Sequence, residues 1–188
     1  MRSLWREWSA ARLRRARAEA YVAAIFAEPS ADDVAWLATN GTDGDADHAR
    51  WELRYARSAL GLLTAQRDAL DDHTASEVAR ALGARLGRDP SVAAGKLRVA
   101  EQQLNARLTA YGQALAAREG AGTGWHLGRT LLEFAGRREA LPPPLVAQAG
   151  ELLARYLTEA NAALRERFGT ASLPEDIAPS ALRGAGRS

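Results

Sequence analysis

The chain has no cysteine and few β-branched residues. With no Cys among 188 residues, it has no disulfide, thiolate metal site, thiolate-held iron–sulfur cluster or cysteine nucleophile. Val and Ile together number eight, against 42 Ala, 25 Leu and 24 Arg. Because Ala, Leu and Arg favour helices whereas β-branched residues favour strands, this composition predicts an all-α protein.

Long apolar runs and a strong net charge are also missing. Uncharged stretches such as residues 20–27 and 140–150 are far shorter than the roughly 20 apolar residues of a membrane-spanning helix. Glu19 interrupts the one segment that resembles a secretion signal, which leaves a cytoplasmic location as the expectation. With 25 basic and 23 acidic residues, the composition gives no strong nucleic-acid signal.

Apolar residues recur at three- and four-residue steps along most of the chain, which predicts seven helices. The predicted ranges are 2–28, 30–37, 47–70, 74–87, 90–118, 125–135 and 144–168. Short connections favour antiparallel neighbours. We therefore expect a single-domain antiparallel bundle of six to seven helices, four long and two or three short, over residues 1–169. Residues 170–188 are predicted to form an extended or partly disordered tail.

Local signals set several helix boundaries. Pro29 disfavours helix in the residue before it, and Ser30 with Asp33 has the spacing of an N-cap. Thr74 and Glu77 have the spacing of a capping box. Two further signals concern later helices: Asp89 followed by Pro90 predicts an N-cap with a first-turn proline, and Gly120, Gly122 and Gly124 indicate a linker.

Two predicted helices have distinctive faces. In the first helix an apolar face is formed by Leu4, Trp8, Ala11, Ala18, Val22 and Ile25. In the third helix apolar residues form two adjacent stripes, one beginning at Trp51 and the other at Leu53. A helix that is apolar over so wide an arc is predicted to lie at the centre of the bundle.

The first helix combines tryptophan with arginine, and this carries the leading functional hypothesis. Trp5, Trp8, Arg12 and Arg15 are residue types suited to docking on a protein groove or an anionic membrane surface. Small and apolar residues also favour self-association. The sequence therefore predicts a non-catalytic interaction module or accessory subunit whose partner is another protein or a second copy of itself, with peripheral membrane contact as an alternative.

A second hypothesis is a small-ligand site. Trp36, Trp51 and Tyr55 could line a cavity for a hydrophobic or acidic molecule, with Arg54 binding a carboxylate. A third is a DNA-binding regulator. Residues 77–83 resemble the first half of a helix-turn-helix, but Asp89 and Pro90 depart from its second half.

Metal and catalytic patterns are weak. Asp43, Asp45, Asp47 and Glu52 gather oxygen ligands as a calcium loop does, but His48 and Arg54 occupy positions that such a loop gives to Gly and to a bidentate acid. The competing interpretation is that Asp45 or Asp47 caps the third helix. No hydrolase, metalloprotease or P-loop string occurs. We expect no metal and no cofactor, and the balance favours a protein that is not an enzyme.

Overall fold

The computed structural model describes residues 2–69, 71–93, 95–117, 122–137 and 141–169, with side chains from Trp8 onward. Of these residues 82% are helical and none is in a strand. The helices are α1 (Arg2–Ile25), α2 (Ala31–Asn40), α3 (Ala46–Asp68), α4 (Asp72–Gly87), α5 (Leu97–Ala116), α6 (Thr123–Phe134) and α7 (Pro143–Phe168). The all-α bundle is confirmed, whereas the predicted tail lies outside the described residues.

The third helix is the centre of the bundle, as its two apolar stripes predict. Every other helix contacts α3. Its buried residues lie on both stripes and include Ala59 on the first and Leu53 and Leu60 on the second, each with no exposed surface. None of the described helices is long and apolar enough to cross a membrane.

Two glycines, Gly128 and Gly150, bring α6 and α7 into backbone contact. A Cβ atom on Gly128 would lie 2.1 Å from the Val146 carbonyl oxygen, and one on Gly150 would lie 2.4 Å from the Gly124 carbonyl oxygen. Only residues without a Cβ permit this approach. The prediction that Gly124 belongs to a linker is therefore wrong, because it is the second residue of α6 and packs against α7.

Two of the predicted N-caps are confirmed, and two, Thr74 and Asp89, are wrong. The Ser30 side chain accepts a hydrogen bond from the Asp33 amide at 3.1 Å, and Asp45 accepts one from the His48 amide at 2.9 Å. The cap of α4 is Asp71, whose carboxylate accepts from the Thr74 amide at 2.6 Å. Thr74 is thus a buried residue of the first turn rather than the cap, because an acid three residues earlier satisfies its amide.

The start of α5 also differs from the prediction. Asp89 and Pro90 do not begin this helix, which starts at Leu97. The Asp89 carboxylate instead accepts from the Ser91 amide at 2.8 Å and pairs with the Arg54 guanidinium of α3. This tertiary contact joins the turn after α4 to α3. The ends of α1 and α3 also fall earlier than predicted, at Ile25 and Asp68.

Candidate docking surface

The two halves of α1 have different environments. Ala18, Tyr21, Val22 and Ile25 are buried, as is Phe26 just after the helix. Residues 8–17 are exposed apart from a half-buried Arg14. Trp8 and Ala11, which belong to the predicted apolar face of this helix, are therefore exposed, as the docking hypothesis requires.

Two neighbouring helices, α3 and α7, end beside the middle of α1. The Tyr21 hydroxyl donates to the Gly61 carbonyl at 2.8 Å, and its ring meets the Phe168 ring edge-on at 6.4 Å. Arg50 pairs with Glu28 at 2.9 Å, so α3 runs antiparallel to α1. α7 ends at Phe168, beside Tyr21, and α3 ends at Asp68. From Tyr21 toward its N-terminus, α1 therefore extends first beyond the end of α7 and then beyond the end of α3.

A groove of about 780 Å³ lies between this exposed half and α4. We call it the α1–α4 groove. It is lined by Trp8, Ala11, Arg12, Arg15, Ala16 and Glu19 of α1 and by Glu77 and Arg80 of α4. The structure thus brings together three of the four residues predicted to dock a partner, while the side chain of Trp5 lies outside the described residues.

The groove has an excess of positive charge. Arg15 pairs with Glu19 at 3.1 Å, and Arg80 pairs with Glu77. The Arg12 guanidinium lies 5.7 Å from the centre of the Trp8 ring, and it forms no ion pair with any other described residue. Both groove carboxylates are therefore neutralised by neighbouring arginines, and the Arg12 charge is left over.

The whole exposed segment is basic. Residues 8–17 contain four arginines and no acid, which leaves 21 basic and 23 acidic residues elsewhere in the chain. Of these arginines, Arg14 lies near Asp71, and Arg17 has no ion pair within the described part of the chain. The pKa of Asp71 is lowered first by the hydrogen bond from the Thr74 amide and further by the Arg14 charge. One segment of a nearly neutral chain thus has a charge of +4.

The residues proposed for a ligand cavity are occupied by contacts within the protein. The Arg54 guanidinium lies between the Trp51 and Phe26 rings, 4.5 and 4.6 Å from their centres, and pairs with Asp89. The Trp51 ring lies 5.4 Å from that of Tyr55. The fourth residue, Trp36, instead donates to Gln148 of α7 at 3.4 Å. The predicted carboxylate-binding group of Arg54 is therefore already paired.

The acidic residues of the calcium-like pattern have separate partners. Asp45 caps α3 and Asp47 pairs with Arg50. Glu52 is buried, with 3% of its surface exposed, and pairs with Arg107 of α5. Across the residues that the structure describes, no three Asp, Glu, His or Cys side chains are grouped to hold a metal ion. The interpretation of Asp45 as a helix cap is confirmed.

The buried pair of Glu52 and Arg107 joins α3, α5 and α6. The Arg107 guanidinium lies 4.1 Å from the centre of the Phe134 ring, and His48 Nε2 lies 3.5 Å from Glu52 Oε1. Burial, with the Glu52 charge as a smaller cause, raises the pKa of Tyr111 above its usual range. Its hydroxyl is buried without a hydrogen-bond partner. The sequence did not reveal this cluster, because its members are far apart along the chain.

Another groove of about 470 Å³ lies between α5 and α6. Its floor contains Ala110, Ala114 and Phe134, and at its rim Arg129 pairs with Glu133 at 2.7 Å. This pairing leaves neither charge free for a ligand.

The structure disfavours the helix-turn-helix hypothesis. Gly83 lies inside α4, and residues 88–96 separate α4 from α5, which is a longer connection than the three or four residues of that motif.

No known protein family, curated protein or solved structure matches this chain.

Proposed function

We propose that this chain is a non-catalytic helical protein that binds a protein partner through the α1–α4 groove and the exposed half of α1. One observation carries the proposal. Of the three large hydrophobic side chains exposed in the described part of the chain, Trp8 and Leu13 both lie in this segment, with 61% and 52% of their surface exposed. Trp and Arg are the residues that most often dominate binding energy at interfaces.

A membrane surface fits this segment less well than a protein does. Trp8 and Leu13 are five residues apart, which places them roughly 140° apart around a helix of 3.6 residues per turn. The same segment has Arg12, Arg14 and Arg17 at other positions around the helix. Membrane-surface helices need one broad apolar face. Here the apolar side chains are separated and would not enter the bilayer together.

The charge also disfavours a symmetric contact between two copies of α1. A two-fold interface places the same surface of each subunit against itself. Pairing two segments that each have four arginines and no acid brings like charges together, which lowers affinity. A partner with an acidic surface suits the groove better.

The proposal can be tested by site-specific photo-cross-linking in the cells that produce the protein. A photoreactive amino acid is placed at Trp8 or Arg12 in the groove, and at Thr158 on the exposed side of α7 as a control. We expect both groove positions to give an adduct of the same mass, and Thr158 to give none. We also expect the Arg12 adduct to be lost when Trp8→Ala is added.

Two results would contradict the proposal. Equal labelling at the groove and at Thr158 would indicate non-specific contact, and the absence of any adduct at the groove would indicate that no protein binds there. An adduct with twice the mass of the chain would identify the partner as a second copy, against the charge argument given above.

A further inference from the structure

The described chain ends beside Tyr21, in the buried half of α1 and four residues from its exposed half. The Phe168 ring contacts the Tyr21 ring at a centroid distance of 6.4 Å, and Gly169 follows directly. Arg57 of α3 pairs with Glu159 at 2.8 Å, and Arg165 is close enough to Asp68 for their charges to interact, so α7 runs parallel to α3 and antiparallel to α1. The chain therefore leaves α7 heading in the direction in which α1 extends from Tyr21 to Trp8.

The residues that follow have the chemistry that the groove lacks. Residues 172–177 read Ser-Leu-Pro-Glu-Asp-Ile, with the adjacent acids Glu175 and Asp176 between two aliphatic residues. The exposed segment of α1 offers arginines without described ion pairs and an exposed Trp8 ring. Proline-containing extended segments bind well on aromatic side chains because their conformation is already restricted.

The distance is short enough for this segment to reach the groove. Six extended residues, from Gly169 to Glu175, span about 20 Å. The nine residues between Arg12 and Tyr21 rise about 14 Å along the axis of α1. The excess leaves length for the chain to cross α1 toward α4. A segment tethered this closely has an effective concentration on the order of millimolar, so weak contacts suffice.

We infer that residues 172–177 of this chain bind in cis to the α1–α4 groove, with Glu175 and Asp176 facing the arginines of α1. The inference rests on the proposed function, because it makes the segment a competitor of the protein partner for the same surface. Trp8 is then covered while no partner is present. A partner must displace the segment, which sets a threshold on its affinity or concentration.

The absence of native cysteine permits a direct test by disulfide trapping in the full chain. Ala178→Cys is combined with Ala11→Cys in the groove, or with Thr158→Cys as a control. Ala11 lies about 15 Å along α1 from Tyr21 and Thr158 about 16 Å along α7 from Gly169, so the two targets are matched in reach. Ala11 and Thr158 are both exposed, and circular dichroism of each variant checks that the helices are intact.

The rate of intramolecular disulfide formation is measured in a glutathione buffer at low protein concentration. We expect the Ala11 pair to form at least tenfold faster than the Thr158 pair. We also expect Glu175→Gln with Asp176→Asn to remove most of this advantage, as should high salt, because ionic contacts are screened. Equal rates for the two pairs, or a rate unaffected by the charge changes, would overturn the inference. Disulfides that join two chains would also overturn it, in favour of docking between copies.

The proposed function and this inference can fail separately. With a photoreactive amino acid at Arg12, Glu175→Gln and Asp176→Asn should increase the partner adduct because they remove the competitor. If the Ala11 pair shows no advantage but the groove still gives partner adducts, the inference is wrong and the proposed function is supported. If the Ala11 pair has the advantage but no adduct forms even after the charge changes, cis binding is supported and the proposed function is wrong.

Discussion

The two halves of α1 belong to one continuous helix and yet have opposite relations to the bundle. Residues 18–25 supply Tyr21 and Ile25 to the core, whereas residues 8–17 leave Trp8 and Leu13 exposed. Both halves are rich in good helix formers. What separates them is the place where α3 and α7 end. The burial of a helical face thus depends on the lengths of its neighbours as much as on its own sequence.

The two halves of α1 are expected to differ in their contributions to stability and to binding. The second half of α1 should contribute strongly to the free energy of unfolding, and the first half should contribute mainly to binding. Substitutions matched in size or type on the two sides of this boundary test the claim.

The largest effect is expected for Tyr21→Ala. Replacing a fully buried aromatic residue with Ala costs about 3–5 kcal/mol of unfolding free energy because it removes apolar contacts and leaves a cavity. Tyr21→Phe keeps the ring and loses only the hydrogen bond to Gly61, so it should cost about 1 kcal/mol. Urea denaturation followed by circular dichroism measures both. A Tyr21→Ala loss below 1 kcal/mol would show that this half is not anchored.

A smaller loss is expected for Gly61→Ala, at the point where α3 supports α1. A Cβ atom there would lie 2.6 Å from Ile25 Cγ2, and overpacking of this kind costs about 1–3 kcal/mol. The matched control is Gly83→Ala in α4, where a Cβ atom meets nothing within 4 Å. That change should stabilise the protein by about 0.5–1 kcal/mol, because Ala is a better helix former than Gly. Equal effects of the two changes in thermal denaturation would contradict the packing described for Gly61.

An effect of about 1 kcal/mol is expected at Asp71, the cap of α4 near Arg14. Asp71→Ala removes the acceptor for the Thr74 amide, whereas Asp71→Asn retains one. The folded-state pKa of Asp71 is lowered by that amide hydrogen bond. Its stabilisation is therefore complete above the unfolded pKa of about 3.9 and is lost as the pH falls through the lower folded value. Unfolding measured between about pH 2 and pH 7 should show a smaller loss of stability on acidification for Asp71→Ala than for the wild type.

The smallest effect on stability is expected for Trp8→Ala. An exposed side chain contributes within about 0.5 kcal/mol to folding, although loss of an interface Trp often weakens binding by about 2 kcal/mol or more. Trp5→Ala with Trp8→Ala should behave in the same way if both residues bind the partner. Thermal denaturation and partner affinity are measured on the same samples. Unfolding caused by Trp8→Ala would place that ring in the core and reverse the comparison.

Composition and periodicity were sufficient to predict the helices and the central position of α3, because both depend on short-range patterns. Boundaries failed where two signals competed. The Thr74 and Glu77 spacing was genuine, but Asp71 already satisfies the Thr74 amide. Asp89 followed by Pro90 was an equally good local signal for a helix start. The Asp89 carboxylate instead pairs with Arg54, which is distant in sequence.

The candidate site was predictable only in part. Trp8, Arg12 and Arg15 stood out because residues 2–17 combine two tryptophans with six arginines. Their partners across the groove, Glu77 and Arg80, could not be found from the sequence, because nothing local indicates that α4 packs beside α1. The exposure of Trp8 was expected from the docking hypothesis alone, since its position also fits the apolar stripe that includes Val22.

The contact between Tyr21 and Phe168 has a consequence for the order of folding during synthesis. It joins the first described helix to the last, so it cannot form until α7 has left the ribosome. At typical elongation rates of about 5–20 residues per second, that delay is roughly 7–30 s. Contacts between distant parts of a chain also form slowly once both are present. For that interval the Tyr21 ring lacks its neighbour in α7, although it ends up among the most buried residues of the protein.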